Sequence, residues 1–249
     1  MNDQRNETLI RCPGHLKLEQ EAVLSVDGCQ ALALWQARCG EILTVQDDQQ
    51  NFFRARLSFW QQDEARIVPF EAIENPESPV EICVYQALPE KERFEWIVQK
   101  LTEIGVVRIV PFTCARSTTL EQRDAGQRKS HRWPDVILRA ARQCRRALLP
   151  QLDEVRSWQE VLEELADWDV KLLLAEKGMR WSFGEGLGHS RPQRVALLVG
   201  PEGGFEEQEV LAAQQRGAVP VQVGPRILRT ETAAVVGATL VQGRVGDYV

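Results

Sequence analysis

Two glycine-proline stretches carry the residues best suited to chemistry. "VGPEGGF" (199–205) follows an apolar run, and "VGPRILRTETAAV" (223–235) follows another. Glycine lets backbone N–H and C=O groups approach a ligand with no Cβ in the way, and Pro201 and Pro225 stiffen the loops. Neither stretch contains Gly-Lys-Ser/Thr or GxGxxG, so a triphosphate or NAD grip is disfavoured. Glu202 and the acids Glu206, Glu207 and Glu209 make the first loop a poor phosphate site and a better one for a zwitterion or cation. In the second loop Thr230 is placed to N-cap a final helix, and Glu231 falls in its first turn. Arg229 has no such structural duty. A guanidinium beside a helix N-terminus is disfavoured unless something anionic is near, which points to a ligand contact.

A second chemical signal is charge. The chain carries a net charge of −6, yet between Ala115 and Ala147 nine Lys/Arg (including Arg116, Arg123, Arg128, Lys129 and Arg132) face only three acids. A local basic patch is what nucleic-acid binders show, whatever their total charge. Arg139, Arg142 and Arg146 fall at spacings of three and four in "PDVILRAARQCRRALLP", on a face apart from Ile137, Ala140, Ala141, Cys144 and Leu148. The apolar stripe belongs to a core. The arginines, with Arg116 and Arg132, are candidate nucleic-acid phosphate contacts.

The elements that position these residues follow from periodicity. Residues 1 to about 72 read as short β segments, "EILTVQD", "NFFRARLSFW" and "ARIVPFEAI", which suggests a small barrel or sandwich. "ENPESP" (74–79) reads as a linker, giving domains over 1–73 and 74–249. Beyond it, strand "VEICVYQA", helix "KERFEWIVQKLTEIG" and strand "VVRIVPF" form a β-α-β unit, with Gly105 as the helix stop. Helix "SWQEVLEELADW", strands "VKLLLAE" and "RVALLVG", helix "EEQEVLAAQQRG", strand "VPVQVG" and helix "TETAAVVGATLVQGRV" complete an α/β fold. In such sheets ligands bind beyond the carboxyl ends of the strands, where both glycine loops lie.

Composition narrows the class. No run of 18 apolar residues and no basic-then-apolar leader is present, so neither a membrane span nor a secretory signal is expected. Cys12, Cys29, Cys39, Cys83, Cys114 and Cys144 are scattered with no CxxC pair. That predicts a reduced cytoplasmic protein with no metal site.

The two glycine loops, with "KERFEWIVQKLTEIGVVRIVPF", "CARST", "RW" at 132–133 and "QCRRALLPQL", resemble the RsmE-type bacterial 16S rRNA uracil-N3 methyltransferases of the SPOUT superfamily. The resemblance covers about 80–249. Towards the N-terminus it is limited to size and β-rich pattern. It implies an α/β methyltransferase domain with a C-terminal trefoil knot, preceded by a PUA-like RNA-binding β-barrel. It implies S-adenosylmethionine as cofactor, held by Leu198, Val199, Gly200, Pro201, Glu202, Gly203 and Gly204. Val223, Gly224, Ile227, Leu228, Arg229, Thr230, Thr232 and Ala233 would complete that pocket. The implied partners are a second copy of the chain and 16S rRNA of the small ribosomal subunit, with uridine N3 as the methyl acceptor.

Uridine N3 must lose its proton to attack a sulfonium methyl. Arg229 is the candidate for stabilising charge on a uracil oxygen, and Glu231, or failing that Glu202, for taking the proton. Two departures from the family pattern stand out: Ala33 and Gln36 occupy positions where arginines are expected, and Arg145 follows "QC". Two rivals remain open at this point: another SPOUT methyltransferase acting on ribose 2′-OH or tRNA, and a non-catalytic RNA-binding relative.

Overall fold

A computed structural model describes residues 4–89, 93–124, 132–175, 181–188 and 191–248. Arg128 and Lys129 of the basic segment, Lys91 and Glu92 of the first expected helix, and Glu176 lie outside the described residues, as does the side chain of Arg123. The chain forms two compact units. One comprises Met1–Glu77 with Leu138–Gln151, and the other Ser78–Ile137 with Leu152–Val249.

The first unit is built on antiparallel strands β1 (Ala22–Val23), β2 (Ile42–Gln46), β3 (Phe52–Gln61) and β4 (Glu64–Ile73), in the order β1–β4–β3–β2. Their apolar side chains, Val45, Ala55, Leu57 and Ile67, are fully buried. Reading this region as β alone misses helix α1 (Val26–Leu34). Ser25 caps it by accepting the Gly28 N–H at 3.2 Å, and Cys29, Ala31 and Leu32 supply its buried side. The Ser-to-helix signal was present in the sequence, but the window is short and its glycine at 28 weakens helix propensity.

Asp47 organises the turn after β2. Its side chain is shut off from solvent and accepts from the Gln49 N–H at 3.0 Å, the Asn51 N–H at 2.9 Å and His15 Nδ1 at 3.0 Å. Burial pushes the carboxyl up, but these hydrogen bonds outweigh it and hold it below the ordinary aspartate value. A depressed carboxylate contributes stability above its unfolded value of about 3.9, and that stability is lost as pH falls through the folded value. Acid titration of the melting temperature is therefore expected to fall less steeply below about pH 4 in Asp47→Asn than in the wild type. Parallel curves would rule Asp47 out as the group responsible.

The second unit is an α/β layer structure. Its strands are β5 (Glu81–Ala87), β6 (Arg108–Thr113), β7 (Gln151–Leu152), β8 (Arg156–Ser157), β9 (Val170–Leu174), β10 (Trp181–Ser182), β11 (Arg194–Val199) and β12 (Val219–Gln222). Among the described residues they run β10–β12–β9–β11–β5–β6–β7, with β8 also on β6. The central pairings are parallel. Helices are α2 (Arg93–Glu103), α3 (Leu120–Asp124), α4 (Trp133–Gln143), whose residues from Leu138 on belong to the first unit, α5 (Trp158–Glu164), α6 (Phe183–Leu187), α7 (Glu207–Gln215) and α8 (Thr230–Val245).

Helix α2 stops as its sequence requires. Gly105 has φ +92°, Val106 N–H donates to Leu101 O at 3.0 Å and Gly105 N–H to Thr102 O at 3.2 Å, the pairing of a Schellman cap. Strand alternation sorts the core of β11: Leu197 and Val199 join one apolar layer, and Leu198 the other. A charged network locks β5, β6 and the segment before α5. Arg108 donates to Asp153 at 3.1 and 2.5 Å and to Glu164 at 3.2 Å; Arg156 reaches the same two acids; Tyr85 OH donates to Glu164 at 3.1 Å.

Candidate active site

The loop after β11 is shaped from within. Gly204 N–H donates to Pro201 O at 2.9 Å, and Gly204 sits at φ +67°, a conformation that favours glycine. The acids that follow are a helix cap. Glu206 and Glu209 form a capping box at the start of α7, and Glu209 Oε1 also accepts the Ala115 N–H at 2.9 Å. Glu202 is paired with Arg93 at 2.8 Å.

The loop after β12 leads into α8, and here one expectation is corrected. Thr230 is not the N-cap; Arg229 holds that position, with φ −64° and ψ 152°, and makes no side-chain capping bond. The Thr230 hydroxyl does something else. It donates to Gly200 O at 2.6 Å and accepts from Gln86 Nε2 at 2.9 Å, so a buried relay ties the second loop to the first. Thr230 is 4% exposed and Gln86 fully buried. Thr230→Val keeps the shape but strands Gly200 O and one N–H of Gln86 Nε2, whose other N–H still reaches Ala87 O. We expect a loss of about 1–3 kcal/mol in urea unfolding, as for buried polar groups left unpaired. A loss below a few tenths would mean that the two loops hold their places without the relay.

The loops enclose one cavity of about 430 Å³. Strand order explains it. β9 lies between β11 and β12, so the two glycine loops rise on either side of the β9 end, and Leu174 and Ala175 join the wall between them. Of the expected ligand-binding residues, Val199 to Gly204, Val223, Gly224, Ile227, Leu228, Arg229, Thr230 and Ala233 line this cavity. Leu198, Glu231 and Thr232 do not. Leu198 faces the opposite apolar layer, as strand alternation demands. Glu231 lies in the first turn of α8, where its Oε2 is buried with no hydrogen-bond partner among the described residues. Arg226, within the expected second loop, also lines it, and Leu174, Ala175, Phe205, Val210 and Gln222 join the wall without having been anticipated.

Arg229 is exposed in this wall, and among the described residues no hydrogen bond or ion pair engages its guanidinium. The basic segment is distributed differently from expectation. Arg116 lines the same cavity, donates to Gly203 O at 2.9 Å and lies 3.6 Å from Glu206. Arg132 and Arg139 are exposed. Arg142 donates to the carbonyls of Trp35 and Gln36 at the C-terminal end of α1, a place the helix dipole favours for a cation. Arg146 is 5% exposed and its fork is taken by Glu77 at 2.6 Å, which corrects its reading as a phosphate contact. Among the described residues, no cluster of three or more His, Cys, Asp or Glu side chains is gathered as a metal site requires. No described helix is long and apolar enough to cross a membrane.

Comparison with known proteins bears on this cavity. Residues 76–242 match a family model described as RNA methyltransferase domain. Ribosomal RNA small subunit methyltransferase E of Bacillus subtilis (strain 168) is 35% identical over 165 residues, and the match spans 64% of this chain and 64% of that relative's length. A solved structure from Legionella pneumophila, described as a methyltransferase in complex with bound cofactor SAM, is 30% identical. It covers 96% of this chain and 99% of its own, with a TM-score of 0.66. The structure of a Ribosomal RNA small subunit methyltransferase E from Neisseria gonorrhoeae bound to S-adenosyl methionine is 26% identical, with coverages of 97% and 100% and a TM-score of 0.67.

Proposed function

The chain belongs to the RNA methyltransferase domain family, and from that premise we propose that it transfers a methyl group from S-adenosylmethionine to N3 of a uridine in 16S rRNA of the small ribosomal subunit. The observation that carries the reading is the single cavity formed by the two glycine loops across the ends of β11, β9 and β12. The residues present fit the cofactor. About 430 Å³ is within the range of small-molecule sites, and the wall combines exposed glycine backbone with Leu174, Val199, Phe205 and Ile227. With Glu202 paired to Arg93 and the α7 acids used in capping, little is left to repel a carboxylate. The backbone of Val199–Gly204 and Val223–Leu228 would hold the cofactor, which supplies a methyl group on a sulfonium centre.

Arg229 is the proposed catalytic residue. Its guanidinium, unpaired among the described residues, would stabilise negative charge on a uracil oxygen as the N3 proton leaves. Glu231, next to Thr230 of the wall though not itself lining it, is the proposed proton acceptor on the strength of an Oε2 with no hydrogen-bond partner among the described residues; the Arg93 pair sets Glu202 aside. Arg116, Arg132 and Arg139 are proposed to meet the RNA backbone.

The same reading extends to the rest of the chain. The first unit, the expected 1–73 extended to Glu77 and joined by Leu138–Gln151, is proposed as a PUA-like RNA-binding barrel, and the second as a SPOUT domain whose chain is knotted in a trefoil. The active species is proposed as a cytoplasmic homodimer. Exposed Trp96 on α2 and Leu240 on α8, two helices that pack together, support a covering partner there.

Methyl transfer from labelled S-adenosylmethionine to small ribosomal subunits lacking the modification tests the reaction, with nucleoside analysis of the product. Label in 3-methyluridine is the expected result. Label in a 2′-O-methylated nucleoside would replace the acceptor, and cofactor binding with no transfer to any RNA would replace the enzyme by a binding protein.

A further inference from the structure

A second cavity, of about 440 Å³, opens within the first unit, and none of the residues assigned above to the reaction lines it. Its wall includes Thr44, Arg54, Phe70, Glu71, Arg142 and Arg145. Arg54 projects from β3 and is 8% exposed. Its Nη1 donates to Thr44 Oγ1 and, at 3.2 Å, to Arg145 O. No other hydrogen bond and no carboxylate within ion-pair distance engages the Arg54 guanidinium among the described residues. Burial, and then the charge of Arg145, lower its basicity, and Glu71, its cross-strand partner on β4, only partly offsets them. An arginine stays charged regardless. A buried cation without a carboxylate partner is costly unless an anion completes it.

The surrounding arginines sort by their commitments. Arg146 is used up by Glu77, and Arg142 by two carbonyls with Glu41 at 3.8 Å. Arg145 is exposed, with no ion pair to its side chain among the described residues. Its backbone adopts φ +62°, in the left-handed region that a bulky residue rarely occupies. That conformation accompanies a carbonyl that accepts from both Arg54 and Thr44, the latter at 3.1 Å. Phe70 stands exposed in the same wall.

We propose that this cavity is an oxyanion site that takes one phosphate group through Arg54 and Arg145. Where the phosphate is part of an RNA strand, Phe70 offers a face on which an adjacent base stacks. Only this choice of source rests on the RNA reading above; the phosphate chemistry stands apart from methyl transfer.

The test uses the full chain, with inorganic phosphate and a single-stranded oligoribonucleotide as probes, measured by calorimetry and by fluorescence anisotropy over a range of salt. Arg54→Met and Arg145→Gln are compared with wild type, and circular dichroism confirms folding. Arg145→Gln changes an exposed side chain, so it carries the test if Arg54→Met does not fold. The expected result is that inorganic phosphate binds wild type and competes with the oligonucleotide. Each variant should then weaken RNA binding by about fivefold or more and flatten the slope of log K against log[salt] by about 0.7. Phosphate binding lost in the variants, with RNA binding unchanged, keeps the oxyanion site and assigns it to a free phosphate. Unchanged affinity for both probes in folded variants overturns the site. Cofactor binding and methyl transfer are read in the same preparations. Loss of transfer to every RNA with the arginine effects intact removes the proposed reaction and leaves this site standing.

Discussion

Arg229→Ala is expected to cut methyl transfer at saturating cofactor by about 10²–10³-fold, the effect of removing one preorganised donor from a developing negative charge. Stability should move the other way or not at all. Arg229 is the N-cap of α8, makes no capping bond, and sets a positive charge against the positive end of the helix. Removing that charge is worth a few tenths to about 1 kcal/mol in favour of the folded state. The opposite signs are what make the measurement decisive, because a general loss of structure would lower both. Arg229→Lys keeps the charge but loses the planar fork, and should recover only part of the rate. Single-turnover transfer, calorimetric cofactor binding and a thermal melt on the same samples decide it. A folded, cofactor-binding Arg229→Ala with full turnover would remove Arg229 from the chemistry.

The largest stability effect is expected at Arg108→Ala. Arg108 is the shared partner of Asp153 and Glu164, whose side chains are 4% and 18% exposed. Burial alone would depress this guanidinium, but the hydrogen bond to Asp153 and the surrounding negative charge raise it instead, so it is cationic throughout the working pH range. Deleting it removes the guanidinium that Asp153 and Glu164 share, while Arg156 still reaches both acids and Tyr85 still donates to Glu164. Breaking a buried pair on one side costs about 3–5 kcal/mol, much of it the uncompensated charge left behind. Urea unfolding should show the midpoint falling with little change in slope. A shift worth less than about 1 kcal/mol would mean that Arg156 and water satisfy both acids.

Much of the site was legible in the sequence because its signals are local. Glycine, proline and the ends of apolar runs mark both loops, and thirteen of the expected ligand-binding positions do line the cavity. What was not legible depends on partners distant in sequence. Leu174 and Ala175 reach the wall only because β9 lies between β11 and β12, an order no local pattern encodes. Thr230 looks like a helix cap until Gly200 O and Gln86 Nε2 are brought to it from 30 and 144 residues away. Arg146 looks like a free arginine until Glu77, 69 residues earlier, closes on it. Leu198 is absent from the wall for a simpler reason: alternation along β11 turns its side chain into the opposite apolar layer.

The make-up of the first unit also bears on the order in which the protein can be assembled during translation. Its sheet is complete in sequence by Ile73, but its apolar layer includes Leu138 and Ala141, and Glu77 is satisfied by Arg146 and by the N–H groups of Ala147 and Leu148. Those residues are synthesised only after β5, α2 and β6. A ribosome partway through the message therefore carries a nascent sheet with an open apolar side and an unanswered carboxylate, for as long as the intervening codons take to read. The N-terminal fold reaches its final stability late, when residues near 151 emerge, and not as the independent first product that its position in the chain suggests.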